Sequence, residues 1–207
     1  MATDLHVLES YPAPALDAEA LKFYEVVDGE IRENPPMGAM ESVLAGFLPG
    51  LMEPLARAGR LGRVVPETLF LLNRARNLKR RPDLAFVSEG RWPLRRRVPQ
   101  TEAWDVVPDL AVDVVSETNS ANAVVIKIEE YFHAGVRKVW VLYHVVSKVY
   151  VYDSPTRVRI LQLGDDLDGE DLLPGFRVAL ATLFEQGDEE SEDAATAGVS
   201  PEAPRGD

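Results

Sequence analysis

Leu110-Ala111-Val112-Asp113-Val114-Val115-Ser116 sets one acid inside an otherwise apolar run. Apolar residues at both parities make this a strand covered on both faces, not one lying half in solvent. Asn119 or Ser120 can cap a helix that follows it, runs to about Ala134 and ends at Gly135. Val136 to Val145 is then a further strand, so strand, helix and strand succeed one another as an α/β unit. An ionised carboxylate at the centre of such a strand is costly unless a charge meets it. Lys127, on the helix, can be part of that charge.

Upstream, Arg81-Pro82-Asp83-Leu84-Ala85-Phe86-Val87 repeats the arrangement, with Asp83 leading an apolar strand. Two carboxylates and a nearby amine can hold a divalent cation and prepare a water for attack on phosphate, which makes a nuclease the leading reading. Around this centre, Arg63 to Leu72 and Pro82 to Val87 read as strands of a hairpin joined by the polar Asn73 to Arg81. Ser88 to Val107 reads mostly as loop. Lys148 to Tyr152 and Val158 to Leu163 add strands beyond a tight link near Ser147, giving a mixed sheet, and Val178 to Phe184 closes the domain. Near the N-terminus, Asp17 can cap a helix through roughly Val27, Asp28-Gly29 makes a turn, and Glu30 to Glu33 is a short strand. A longer helix after Pro35-Pro36 carries Val43, Leu44, Phe47, Leu48, Leu51 and Leu55 at helical spacing, with Pro49 and Pro54 expected to kink or divide it.

The 207 residues suffice for one core, read as a single domain over 1–184 followed by an acidic, unstructured tail over 185–207. The tail holds eight acids against Arg205, and so most of the net charge of −12. Arg74 to Arg97 is the opposite, with nine bases against Asp83 and Glu89. Such a patch suits phosphate contacts, its alternative being solvated loops beside acidic neighbours. No cysteine is present, which excludes disulfides, thiolate metal sites and a cysteine nucleophile. No apolar run is long enough for a membrane span, and Met1 to Ser10 lacks a signal core, so a cytoplasmic location is expected. His6, His133 and His144 are too scattered for a metal triad and read as structural. Trp140, Tyr143, Tyr150 and Tyr152 read as core or cross-strand pairs and not as a base-stacking platform.

Taken with Lys127, Glu130-Tyr131, Ala134-Gly135-Val136 and Val139-Trp140-Val141-Leu142, the two acidic runs 81–87 and 108–116 resemble the Uma2 family, formerly DUF820, of restriction-endonuclease-like proteins. The resemblance extends from about Leu21 to Phe184. It implies the α/β fold of PD-(D/E)XK nucleases, a mixed β-sheet flanked by helices, with acids that position Mg²⁺ or Mn²⁺ at a scissile phosphodiester of DNA. Asp83 then takes the Pro-Asp position and Asp113 the second acidic position, where Uma2 usually has the longer glutamate. Val115 stands where the simplest motif has lysine, and the family commonly moves that lysine to the next helix, here Lys127. Glu41 resembles an N-terminal acid that binds the metal directly or through water, although Gly38-Ala39-Met40-Glu41 lacks the histidine often found there.

Each residue also has a plainer reading. Glu41 can be a first-turn carboxylate favoured by the helix dipole. Asp83 can be a strand-end acid capped by Arg80 or Arg81, Asp113 an acid on an edge strand, and Lys127 a solvated neighbour of Glu130. Ser116 and Asn119 suit turn and cap. Two functional alternatives follow: an inactive nuclease-like module that binds nucleic acid or protein, and a structural homo-oligomer, at its simplest a homodimer, with the Val136 to Tyr152 hairpin as interface and the carboxylates satisfied by arginines. Geometry separates them, since hydrolysis requires Asp83, Asp113 and Lys127 to face one open cleft not filled by arginines.

Overall fold

The computed structural model describes residues 24–34, 36–116 and 119–185. The expected tail beyond Glu185, His6, and the start of the helix expected from Asp17 lie outside the described residues. The central strand forms where the sequence puts it, β7 being Leu110–Val115. It is joined to β8 (Lys138–Tyr143) by α2 (Ala121–Ala134). Ser120 caps α2 by accepting the Ala123 amide, and Gly135 ends it in a left-handed conformation at φ 100°. The crossover makes β7 and β8 parallel, with Leu110 opposite Lys138 and Val115 opposite Tyr143.

Antiparallel neighbours complete a six-stranded mixed sheet in the order β10-β9-β8-β7-β6-β3. The added strands are β3 (Gly62–Pro66), β6 (Leu84–Ser88), β9 (Lys148–Ser154) and β10 (Arg157–Leu161). The β8–β9 hairpin therefore lies inside the sheet, flanked by β7 and β10. A second sheet runs β2-β1-β5-β4, from β1 (Tyr24–Val27), β2 (Glu30–Glu33), β4 (Phe70–Asn73) and β5 (Leu78–Arg80). β11 (Asp166–Asp168) pairs with β12 (Arg177–Ala179), which leads into α3 (Leu180–Phe184).

Alternation along the strands splits the core in two. Leu84, Phe86, Leu110, Val112 and Val114 pack with α1 (Ala39–Ala58), whereas Ala85, Val87, Ala111, Ile128 and Tyr131 pack on the α2 side. Alanine at positions 85 and 111 leaves room for α2 to lie close to the sheet.

Three expectations change. Tyr24–Val27 is a strand and not the end of a helix, because Asp28 (φ 52°) and Gly29 (φ 84°) both take positive φ, the turn that folds β1 onto β2. Arg63 to Leu72 is two strands in different sheets, so the expected hairpin with Pro82 to Val87 is split: β3 pairs with β6, and β4 with β5. Pro49 and Pro54 do not divide α1, which continues through both. An interior proline costs about 3 kcal/mol. Leu44, Leu48, Met52 and Ala56, all fully buried at intervals of four, form a ridge against the sheet. Burial stabilises each large side chain by about 1.5–3 kcal/mol, enough to offset both prolines.

At the far edge, β3 approaches β6 so closely that a Cβ on Gly62 would lie 2.2 Å from the Val87 carbonyl oxygen. Gly62→Ala is accordingly expected to destabilise the protein by about 1–3 kcal/mol, read as a lower urea midpoint at unchanged slope.

Candidate functional site

Asp113 has the parity of Ala111, which turns it to the α2 side of the sheet. Asp83 lies one step before the Leu84 to Val112 pair, the end of the β6–β7 ladder, so the two strands deliver both carboxylates to one end of the sheet. Lys127 comes down on them from α2. Its Nζ lies 2.8 Å from Asp113 Oδ1 and 3.1 Å from Glu25 Oε1, and it donates to the Arg81 carbonyl at 3.4 Å. Asp83 Oδ2 accepts the Val114 amide at 2.6 Å. Asp83, Asp113, Lys127 and Glu41 line one open cleft of about 450 Å³, together with Glu25 and Arg80. Asp83 also lines an adjoining cavity of about 260 Å³. The sequence-derived residues are thus gathered at one place.

Glu25 is the member that sequence reasoning missed. It is buried on β1, where Arg80 Nη1 donates to it at 2.5 Å and the Arg81 amide at 2.9 Å. Arg80 in turn donates to the buried Glu130 at 2.7 Å. Arg80 therefore faces the cleft but is held by two acids and does not fill it. The sequence hint for Glu25 was its parity in Tyr24-Glu25-Val26-Val27, visible only once those residues are read as a strand.

Burial raises Asp83, and the adjacent charge of Asp113 raises it further; Lys127 and the Val114 amide only partly oppose them, leaving its pKa at about 7. Burial also raises Asp113, against the pull of Lys127. For Lys127 burial acts downward, but Asp113 and Glu25 overcome it and hold the ammonium well above its ordinary value. Burial alone would raise Glu25, yet Lys127 and Arg80 bring it below the usual carboxylate range. Two anions that resist charging thus sit beside a lysine that stays charged.

Glu41 reaches the same cleft but is engaged at both oxygens. Its Oε2 accepts the Gly38 amide at the start of α1, and Oε1 lies 3.3 Å from His144 Nε2. His144, on the turn after β8, therefore stands beside Glu41. The basic stretch is largely spent on the protein itself. Arg74 meets Asp105, Arg76 meets Asp28, Lys79 meets Glu102 and Arg91 meets Asp109. Arg96 lies over the Trp92 ring.

Whether these residues suit a divalent cation turns on their free oxygens. Among the described residues, Asp83 Oδ1 and Asp113 Oδ2 have no hydrogen-bond donor, so each acid keeps one oxygen available beside the cleft. No three described histidines or acids gather closely enough to enclose an ion. A pair of hard oxygen donors at an open cleft fits Mg²⁺, which is held by one or two carboxylates and keeps several waters, and the same donors suit Mn²⁺. Among the described residues no helix is long and apolar enough to cross a membrane.

The fold is similar to that of "a putative nuclease belonging to DUF820" from Anabaena variabilis ATCC 29413, at a TM-score of 0.69 and 15% identity over 78% of this chain and 89% of that one. Likeness at that identity speaks for the fold. No curated protein matches the chain. The family model described as "Uma2: Putative restriction endonuclease" matches residues 8–181, and the chain belongs to that family.

Proposed function

We propose that this protein is a divalent-cation-dependent endonuclease that hydrolyses phosphodiester bonds of DNA. The supporting observation is the floor of the cleft: two neighbouring half-buried carboxylates, each with an uncommitted oxygen, and a lysine ammonium 2.8 Å from one of them. Asp83 and Asp113, with the Val114 carbonyl, would hold Mg²⁺ or Mn²⁺, and Glu41 would act through a water. Such a cation, when bound, activates a water and offsets negative charge on the phosphate. Asp113 and Glu25 fix the Lys127 ammonium in place and keep it charged, so its part is to stabilise charge developing on the phosphate and not to take a proton. The Val114 amide orients Asp83, and burial keeps both acids from turning away.

Cleavage of supercoiled and linear DNA by the purified protein, with Mg²⁺, Mn²⁺ or EDTA, tests this reading. Cation-dependent cleavage should fall by about a hundredfold or more in Asp113→Ala and in Lys127→Ala. Cleavage that survives Asp113→Ala assigns the activity elsewhere. DNA binding with no cleavage under any cation would favour the inactive binding module.

A further inference from the structure

A phosphodiester lying over two carboxylates needs a cation at the open side of the cleft as well as on its floor. The Arg74 to Arg97 stretch does not provide it, because its cations are mostly held by acids, carbonyls or a ring. The β1–β2 hairpin does. Arg32 is exposed and lines the cleft. The strand register sets it directly opposite Glu25, so the two side chains leave the hairpin on one face with Cβ atoms about 4.5–5.5 Å apart. Glu25 stands 3.1 Å from Lys127, which stands 2.8 Å from Asp113, and this chain of contacts ties the position of Arg32 to the acids.

The natural partner for Arg32 would be Glu25, but that carboxylate is buried, already accepts from Arg80 and the Arg81 amide, and is paired with Lys127 at 3.1 Å. Among the described residues the Arg32 side chain makes no hydrogen bond or ion pair, so its fork of donors is uncommitted at the mouth of the cleft. A guanidinium matches a phosphate with two parallel hydrogen bonds, which an ammonium cannot do.

We infer that Arg32 binds a backbone phosphate of the DNA strand in the cleft and is the principal phosphate contact outside the metal site. The inference rests on the nuclease reading above. It makes the DNA footprint narrow, set by the hairpin and not by the basic loops.

Fluorescence anisotropy of a labelled DNA duplex with the intact protein, in Ca²⁺ and across a salt series, tests it. Arg32→Ala should weaken binding about ten- to a hundredfold. It should also reduce the slope of log affinity against log salt by about one. Arg32→Lys should recover the slope but only part of the affinity, and Arg95→Ala, on an exposed loop position that does not line the cleft, should match the wild type. Wild-type binding with an unchanged affinity and slope in Arg32→Ala overturns the Arg32 assignment and leaves the nuclease reading standing. So does an equal loss in Arg95→Ala, which would mean diffuse charge. A wild type that neither binds nor cleaves DNA overturns both.

Discussion

Asp83→Asn is expected to abolish cation-dependent DNA cleavage and, in the cation-free protein at pH 8, to raise the melting temperature. The two effects share a cause. Asp83 has an ordinary pKa of 3.8 and a folded-state pKa of about 7, raised by burial and then by Asp113. Between those values the folded protein holds a proton that the unfolded chain has released, so stability falls as pH rises through that window and levels off above about 7. The loss is of the order of 4 kcal/mol. Asparagine keeps the shape, accepts the Val114 amide and carries no charge. The variant should therefore melt about 8–16 °C higher than wild type at pH 8, with the difference shrinking to nothing near pH 4. Adding Mg²⁺ should stabilise the wild type and leave the variant unmoved, because only the former has a carboxylate pair to bind it. Thermal melts from pH 4 to 8, with EDTA and with Mg²⁺, measure this; a pH-independent difference, or a variant less stable at pH 8, would refute it.

Arg80→Ala should be the most destabilising of the substitutions considered. Arg80 is buried between Glu25 and Glu130, whose side chains are only 5% and 8% exposed. Truncation leaves the buried Glu130 without its nearest cation and the buried Glu25 with Lys127 alone, a change that costs about 3–5 kcal/mol. It also frees Glu25 to compete with Asp113 for Lys127, so activity should fall even at temperatures where the variant remains folded. Arg80→Lys should recover only part of the stability, since a single ammonium cannot span both acids as a guanidinium does. Adding Glu25→Gln and Glu130→Gln to Arg80→Ala should restore a share of the loss, which would show that stranded charge and not lost packing dominates. Urea denaturation gives the numbers, and a cost below about 1 kcal/mol would show that the buried network contributes little.

The β7-α2-β8 unit was legible in the sequence because its signals are local: an apolar run, a serine cap, a glycine stop and a second apolar run. Asp83 and Asp113 could be singled out for the same reason, each standing against apolar neighbours, whereas Lys127 was singled out by the family resemblance and not by its surroundings. The first strand was misread because Asp17 is a plausible cap for a helix running through Val27, and only the positive-φ turn at Asp28-Gly29 shows the segment to be a strand. Glu25 was missed with that strand, and beyond its parity nothing marked it, since its partners Arg80 and Lys127 are distant in sequence and a glutamate in a short segment ordinarily faces water. The pairing of Glu41 with His144 was hidden likewise, by a separation of 103 residues. The basic stretch looked like a nucleic-acid surface because composition records charges and not their partners, which here lie as far away as Asp28 and Asp105.

That Glu25 and Lys127 meet has a consequence for synthesis. During translation the glutamate leaves the ribosome early and must wait for Arg80 and then for the lysine before it can be buried without penalty. Asp113 waits for that lysine too. A chain interrupted before α2 would hold Asp113 with no lysine beside it and Glu25 with Arg80 alone, so the cleft is not assembled until α2 has been made. The assembly of the site is in this way tied to synthesis of α2, the element that brings the cation both acids share.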